Sequence, residues 1–492
     1  MDVLEGRDVT AREPPPGEPP SICAVTDHGP PPTVHVQALD PNRLAPVIGA
    51  DRIFALYEAA ARTRERLAGR RVINVNSTAT GGGVAELLTT LLGYARGVGI
   101  GADWLVIRGD PEFFAVTKRL HNWLHGSPGD GDAIGPREQR TYERVTEANA
   151  EGVLAQVTAG DVVVVHDPQP AGLVPRLIEQ GARVVWRCHV GIDRPNEWTD
   201  RAWGFLRPYV EPAHAYVFSR GAFAPPFLAR DRLAIIAPSI DPLSPKNREL
   251  SRSQVSSLLA SADLVSRSGP VLGDLVARPA DVVREEGPPG PRVPLVVQVS
   301  RWDRLKDMGG VFEGFAEHVS RETGAHLVLA GPAFSGVADD PEAEAVWNEI
   351  VERWHGLSRQ DRERVHLALI PMENAEENAL VVNALQRHAA VVVQKSLAEG
   401  FGLTVAEAMW KARPVVGSAV GGISDQLIDG TSGILLRDPG DLAAFGRVVS
   451  GLLADPHERR RLGRNAHLCA TTYFLPDRHL LNYAHLLEWV LA

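Results

Sequence analysis

The stretch that decides the fold is QKSLAEGFGLTVAEAMWKARPVVGS, residues 394–418. A buried apolar strand runs into a glycine-containing loop and then into a helix that we expect to start near Leu403, which is the repeating unit of a parallel sheet. Gly400 and Gly402 let the backbone amides of Gly402, Leu403 and Thr404 approach a ligand closely. Because these amides lie at a helix N-terminus, where unpaired N–H groups and the helix dipole attract anions, the segment predicts a phosphate site.

Two carboxylates flank this predicted phosphate site. Glu399 lies in the loop, and Glu407 lies about one turn into the helix. The two groups can therefore sit at opposite ends of a nucleotide sugar, one at the sugar hydroxyls and the other at the ribose hydroxyls. The alternative is an ordinary strand–turn–helix with two solvated glutamates, because short motifs also occur by chance.

A second apolar strand, PLVVQVS (294–300), is followed by Arg301 and Lys306, and we expect the next helix to begin after Gly309 and Gly310. In an open α/β sheet, ligands bind at the carboxyl ends of the strands. Arginine and lysine at that edge can neutralise a leaving diphosphate and so replace a metal ion. Surface cations are a weaker explanation, because positive charge at a helix start opposes the helix dipole.

A third glycine cluster, Gly81 to Gly83, lies in VNSTATGGGVAE (75–86) between the first predicted strand and its helix. It suits close backbone approach to a ligand, although a plain tight turn is an equal alternative. The cluster lacks the G-x-G-x-x-G spacing and the acid about 20 residues later that a dinucleotide-dependent oxidoreductase would carry. That enzyme class is therefore disfavoured.

The remaining chain repeats the same strand and helix pattern. A chain of 492 residues exceeds the roughly 250–300 residues at which one hydrophobic core stops growing, so we expect two Rossmann-like α/β domains. The predicted organisation is a flexible proline-rich tail (1–40), an N-terminal domain (41–290), a C-terminal domain (291–476) and an amphipathic helix (477–492) that can cap either domain, with packing back on the N-terminal domain as one option. The predicted strands are 71–77, 102–107, 161–167, 182–189, 215–219, 294–300, 326–331, 364–370, 389–396 and 413–418.

Composition narrows the functional class further. Hydrophobic residues make up 44% and charged residues 23% of the chain, and the net charge of −10 argues against blanket phosphate neutralisation on a nucleic acid. Cys23, Cys188 and Cys469 have neither a disulfide nor a zinc-ligand pattern. With no signal-peptide core and no run of about 18 apolar residues, we expect a cytoplasmic protein. Asp130 and Asp132 lie in a Gly/Pro-rich loop and do not indicate a metal site.

These motifs together resemble a known family. The pairing of EGFGLTVAE (399–407) with SRWDRLKD (300–307) is similar to retaining nucleotide-sugar glycosyltransferases of the GT-B fold, in which two Rossmann-like domains face each other across a cleft. A narrower set of motifs resembles the trehalose glycosyltransferring synthases, which join a nucleoside-diphosphate glucose to free glucose. These motifs are INVNSTATGGGVAELL (73–88), VIRGDPEFFAVTKRLHN (106–122), HDPQPAGL (166–173), VVWRCHVG (184–191) and PSIDPLSPKN (238–247). The chain departs from the subgroup after His189, in the proline-rich tail and in the Ser-rich segment 251–292.

The resemblance implies roles for particular residues. Glu399 would contact the donor sugar, Glu407 the ribose, and Arg301 and Lys306 the diphosphate. His189 would hold a donor-sugar hydroxyl, although a histidine ending a buried strand is more often structural. The remaining implied positions are Gly82 and Gly83, which would face the diphosphate from the other domain, and the acceptor candidates Asp167, Gln169, Lys246 and Asn247.

The resemblance also implies a reaction. Glucose would move from UDP-, ADP- or GDP-glucose to free glucose with retention of the anomeric configuration, without a metal or another cofactor, and reversibly. The partners would be small-molecule substrates only, with no nucleic acid and no membrane, and the chain could form a homodimer. The open alternatives are another sugar, sugar-phosphate or glycan acceptor, and a catalytically silent nucleotide-sugar sensor.

Overall fold

The computed structural model describes residues 31–79, 82–267, 275–334 and 342–492. Gly81 of the glycine cluster lies outside the described residues. The described chain forms two sheets of different strand order, and helices cover the faces of each sheet. The prediction of two α/β domains with parallel sheets is confirmed.

The N-terminal sheet has six strands in the order β2-β1-β3-β4-β5-β6, all parallel. Its central strands are almost continuous apolar runs because helices cover both faces of a parallel sheet. The strands are β1 (Val72–Asn76), β2 (Ala102–Val106), β3 (Val162–His166), β4 (Arg183–Cys188), β5 (Ala215–Phe218) and β6 (Leu233–Ile235).

The C-terminal sheet has seven strands in the order β13-β12-β11-β8-β9-β10-β7. All neighbours are parallel except β7, which pairs antiparallel with β10 at one edge. The strands are β7 (Asp281–Val283), β8 (Leu295–Val299), β9 (His326–Pro332), β10 (Val365–Ile370), β11 (Val391–Gln394), β12 (Val415–Ser418) and β13 (Ile434–Leu436).

Helices follow most strands, as right-handed parallel connections require. Those of the first half of the chain are α1 (Ala45–Ile48), α2 (Ala50–Leu67), α3 (Gly83–Gly97), α4 (Pro111–Leu124), α5 (Pro136–Leu154), α6 (Val174–Glu179) and α7 (Glu197–Val210). Those of the second half are α8 (Arg252–Ser261), α9 (Met308–His318), α10 (Glu342–His355), α11 (Arg359–Arg362), α12 (Ala375–His388), α13 (Leu403–Trp410), α14 (Ile423–Gln426), α15 (Leu442–Ala454), α16 (Pro456–Tyr473) and α17 (Pro476–Val490).

All ten predicted strands are present, and three further strands were not predicted. These are β6, β7 and β13, each only three residues long and only partly buried. Such short segments do not produce the apolar run by which the longer strands are recognised.

The ends of the two units differ from the sequence expectation. The predicted flexible tail is wrong for residues 31–40, because the amide of Val34 donates to the carbonyl of Trp104 at 2.8 Å and Thr33 bridges to Leu105 at the sheet edge. The second sheet begins before residue 291, because Asp281–Val283 already belongs to it.

The C-terminal helix α17 packs against α2 and α3 of the N-terminal unit. An ion pair fixes its first turn, with Arg52 Nε 2.7 Å from Asp477 Oδ2. The last helix of the chain therefore ties the two units together. Within the described residues, no helix is long and apolar enough to cross a membrane.

Candidate functional site

The predicted phosphate loop has the expected geometry. Strand β11 ends at Gln394 and α13 begins at Leu403, with Gly402 as its N-cap at φ +84°. This left-handed backbone favours glycine, and no side chain caps the helix start. The amide of Val405 donates to the carbonyl of Gly402 at 3.0 Å, and the helix start without a side-chain cap is the kind of site that attracts an anion.

The predicted diphosphate cation and the predicted sugar carboxylate lie together. Lys306 Nζ is 2.8 Å from both carboxylate oxygens of Glu399. Glu399 is buried, and Ser396 Oγ donates a further hydrogen bond to it at 3.2 Å. The ion pair places the positive charge of Lys306 beside the loop that leads into α13.

Local hydrogen bonds and an ion pair fix the conformation of the segment around Lys306. Asp303 caps a short 3-10 helix through the amide of Leu305, and Arg301 forms an ion pair with Asp303 at 3.1 Å. The expected start of the next helix after Gly310 is wrong. Helix α9 begins at Met308, because Asp307 caps it by accepting from the amide of Gly310 at 3.1 Å.

Glu407 lies one turn into α13, and its side chain is almost completely buried. Lys246 Nζ is 3.7 Å from Glu407 Oε1 and 2.6 Å from Glu86 Oε2 of α3. Although burial opposes it, these two carboxylates raise the pKa of Lys246 above its ordinary value. Within the described part of the chain, Glu407 Oε2 has no hydrogen-bond partner. This oxygen is both buried and unpartnered, which is uncommon for a polar atom inside a protein.

The predicted acceptor role of Lys246 and Asn247 does not fit their positions. Lys246 lies beside Glu407, which is the predicted ribose group rather than the acceptor group. Asn247 is buried, donates to the carbonyl of Asp241 at 3.0 Å, and accepts from Lys411 Nζ at 2.9 Å. Its amide is thus already used to hold the segment between β6 and α8 in place.

The helix that follows β1 in the N-terminal unit faces this loop from the opposite side. Helix α3 starts at Gly83 with Gly82 as its N-cap. A Cβ atom built at Gly83 would lie 3.4 Å from Leu403 Cδ1, so the N-termini of α3 and α13 approach each other. Two helix N-termini pointing into one cleft concentrate positive potential there.

His189 follows β4 at the carboxyl edge of the N-terminal sheet. Its backbone amide donates to Asp167 Oδ1 at 2.7 Å, and its Nε2 is 3.1 Å from His166 Nδ1. Burial and the charge of Arg187 lower the pKa of His189 well below the ordinary value. A Cβ atom built at Gly400 would lie 2.5 Å from the carbonyl oxygen of His189, so His189 borders the Glu399 loop.

Asp167 occupies a left-handed backbone conformation, φ +64°, directly after β3. Burial raises its pKa to about 7, although the amide of His189 and the charge of Arg187 act in the opposite direction. Gln169, the other acceptor candidate, lies two residues later and is partly exposed. Both side chains stand at the same sheet edge as His189.

We expect the raised pKa of Asp167 to be visible in the pH dependence of stability. A carboxyl whose pKa is higher in the folded protein stabilises it at low pH, and this contribution is lost as pH rises through about 7. The asparagine side chain does not titrate in this range. When the pH is raised from 5 to 8, the unfolding free energy of Asp167→Asn relative to wild type should therefore increase by on the order of 2 kcal/mol. Urea unfolding at the two pH values measures it. Asp231→Asn, at an exposed site, should show no such gain, and an equal response of the two variants would contradict the assignment.

Some contacts between the two units were not predicted from the sequence. Asp193 Oδ1 lies 2.6 Å from Arg220 Nε, its Oδ2 accepts from the amide of Gly421 at 3.0 Å, and Arg220 also pairs with Asp425. Burial and the nearby charge of Lys306 lower the pKa of His125, at the end of α4, to about 4. No motif marks Asp193, Arg220 or His125 in the sequence, since a local pattern does not show which residues meet another domain.

Asp130 and Asp132, the acid pair of the Gly/Pro-rich loop, both pair with Arg119, at 2.7 Å and 2.9 Å. One arginine thus holds both carboxylates within the N-terminal unit and offsets half of their charge. Across the described ranges, no group of three or more His, Cys, Asp or Glu side chains is placed to hold a metal ion.

Comparisons with known proteins show which family the chain resembles. Residues 74–225 match the family model described as trehalose synthase, N-terminal domain, and residues 283–468 match glycosyl transferases group 1. The trehalose synthase of Pyrococcus horikoshii is 34% identical over 442 residues, covering 90% of this chain and 94% of the relative. That of Rubrobacter xylanophilus is 37% identical over 429 residues, covering 86% and 92%.

More distant similarities extend to a second sequence relative and to a solved structure. The trehalose phosphorylase of Grifola frondosa is 24% identical over 403 residues, which are 77% of this chain and 52% of that protein. The crystal structure of the alpha,alpha-trehalose 6-phosphate synthase of Burkholderia multivorans superposes with a TM-score of 0.64 at 17% identity, covering 86% of this chain and 98% of that one.

Proposed function

Since the chain belongs to the trehalose synthase family of group 1 glycosyltransferases, we propose that it transfers glucose from a nucleoside-diphosphate glucose to free glucose. The product is trehalose, the anomeric configuration is retained, and the reaction is reversible. The GT-B fold and the glycosyltransferase class are common to the family. What we propose for this chain in particular is the identity of the donor, the identity of the acceptor and the stereochemistry.

The observation that supports the proposal best is the pairing of Lys306 with Glu399 beside two facing helix N-termini. A diphosphate placed there meets the amides of α3 and α13 together with the cations Arg301 and Lys306. As the glycosidic bond breaks, negative charge grows on the leaving phosphate, and prearranged charges and dipoles stabilise it without reorganisation.

Glu399 and Glu407 complete the donor site in this proposal. Lys306 leaves Glu399 for the phosphate, so that Glu399 faces a sugar ring that becomes cationic. Glu407 accepts from the ribose hydroxyls through the oxygen that has no protein partner. The leaving phosphate takes the proton of the incoming hydroxyl on the same face of the sugar, which retains the configuration.

A panel of donors tests the proposal. Purified protein is incubated with glucose and either UDP-, ADP- or GDP-glucose, or α-glucose 1-phosphate, and the disaccharide is identified. We expect trehalose from at least one nucleotide sugar. Trehalose from glucose 1-phosphate alone would instead make the protein a phosphorylase, the activity named for the Grifola frondosa relative.

We also expect the transfer reaction to survive a chelator. Arg301 and Lys306 supply the positive charge that a divalent ion would otherwise bring to the leaving diphosphate. The rate with EDTA should stay within about twofold of the untreated rate. Loss of turnover in EDTA that magnesium or manganese restores would mean that the two cations do not suffice.

A further inference from the structure

A buried arginine joins the C-terminal helix to the carboxyl edge of the N-terminal sheet. Arg187 lies on β4 and is fully buried. Its Nη1 donates to Tyr483 Oη of α17 at 2.9 Å, and its Nη2 donates to the carbonyl of Ile236 at 3.1 Å. Its Nε lies 3.0 Å from Nε2 and 3.4 Å from Nδ1 of His189. One side chain thus contacts both the last helix of the chain and the ring of His189.

This contact restricts the charge of the His189 ring. The Nε–H of Arg187 can only donate, because a guanidinium stays protonated in proteins. A hydrogen bond from it therefore requires a ring nitrogen without a proton, whereas a charged imidazolium carries a proton on both nitrogens. The geometry is that of a neutral ring. Burial and the charge of Arg187 lower the pKa of His189, which acts in the same direction.

A second contact restricts the orientation of the same ring. His166 Nδ1 lies 3.1 Å from His189 Nε2, and the two ring planes are within 14° of parallel. His166 is itself 3.0 Å from Asn74 Oδ1. His189 is partly exposed, and its backbone borders the Glu399 loop. A side chain beside the donor loop is therefore held by buried groups of the N-terminal unit.

The position of Arg187 is unfavourable for folding by itself. A buried cation costs free energy unless an anion compensates it. The hydroxyl of Tyr483 and the carbonyl of Ile236 are neutral. The charge of Arg187 acts on Asp167, but burial raises the pKa of that carboxyl to about 7, so it is only partly ionised at neutral pH. Packing alone does not account for an arginine at this position.

We propose that Arg187, held by Tyr483, is a positioning residue that orients the His189 ring and keeps it uncharged. The consequence for catalysis rests on the proposed function, in which the donor sugar becomes cationic as the leaving phosphate departs. A charged histidine beside the donor loop would oppose that change. Because Tyr483 lies on α17, the reaction then depends on the docking of the last helix of the chain.

The groups around the His189 ring determine how it titrates. They are Arg187 on β4, His166 and Asp167 at the end of β3, His479 on α17 and, from the C-terminal unit, the Glu399 loop. Arg187 is the permanent cation of this group. Its removal should therefore raise the pKa of His189 towards the ordinary histidine value of about 6.5.

Two variants separate the charge of Arg187 from its hold on the ring. Arg187→Met should lower kcat by about 10²-fold, the cost of misplacing a group by about 1 Å. Its kcat relative to wild type should fall further as the pH is lowered from 8 to 5.5, because His189 then takes up a proton. Tyr483→Phe removes only the hydroxyl that holds Arg187. It should lower kcat about tenfold, by the same factor at every pH, because the cation remains.

The chain offers a matched control for each variant. Arg364 is also a buried arginine, and it donates to the carbonyls of Val319 and Ala325. Tyr473 is exposed at the end of α16. Arg364→Met and Tyr473→Phe should keep the kcat of wild type and its pH dependence, even where Arg364→Met lowers the free energy of unfolding.

The ring of His189 gives a readout that needs no substrate. In protein with isotope-labelled histidine, the NMR signals of this ring are identified by their loss in His189→Gln. They should show a neutral ring from pH 8 to 5.5 in wild type and protonation within that range in Arg187→Met. Protonation at the same pH in both proteins, or equal kcat in Tyr483→Phe and Tyr473→Phe, would overturn the inference. A wild type that transfers no glucose would refute the proposed function instead, and the ring spectra would still show whether Arg187 sets the charge of His189.

Discussion

Lys306→Ala should lower kcat by about 10²–10³, or roughly 3–4 kcal/mol, with a smaller change in donor KM. The reason is that charge on the leaving phosphate grows towards the transition state, so the lysine contributes more there than in the ground state. The apo geometry supports this, because Lys306 Nζ already stands 2.8 Å from Glu399 at the start of the donor loop. Steady-state kinetics with saturating glucose measure both constants.

The matched control is Arg304→Ala. Arg304 lies in the same short helix, but its exposed side chain pairs with Glu349 at 3.1 Å, on the side of α10. It should keep wild-type kcat. Lys306→Arg should recover part of the loss, since it restores the charge. A Lys306→Ala enzyme with wild-type kcat would show that the lysine is only a structural partner of Glu399.

The two carboxylates of the donor motif should respond differently to neutralisation. Glu399→Gln should depress kcat by on the order of 10²-fold, because the charge beside the sugar ring favours the developing positive charge. Glu407→Gln should instead raise donor KM by roughly 10- to 100-fold and spare kcat, because a hydrogen bond from ribose to a charged acceptor acts in the ground state.

Two controls sharpen this comparison. Circular dichroism excludes misfolding of either variant. The double variant of Lys306→Ala with Glu399→Gln should lose less than the sum of the single effects, since the two side chains form one ion pair. If both glutamine variants kept wild-type kcat and KM, neither carboxylate would touch the donor.

Much of the fold was predictable because buried parallel strands are recognisable by their composition. Runs such as VVVVH in β3 place apolar side chains on both faces of the strand. This pattern indicates a sheet that helices cover on both sides. The antiparallel edge strand β7 was not predictable, since its pairing with β10 depends on a chain segment more than 80 residues away.

The donor side of the site was more predictable than the acceptor side. Glu399, Lys306 and the start of α13 follow two neighbouring strands of one sheet, so their meeting follows from the fold. Lys246 lies on the segment that crosses between the two sheets, and only the packed structure brings it to Glu86 and Glu407.

The measurement that tests the central claim most directly is the NMR spectrum of the disaccharide formed from glucose and a nucleoside-diphosphate α-glucose. We expect a single symmetric product, α,α-trehalose, formed in amounts equal to the nucleoside diphosphate released and reduced by about 10²–10³-fold with Lys306→Ala at matched enzyme and time. A disaccharide of inverted configuration, or release of nucleoside diphosphate with only free glucose as product, would contradict the account.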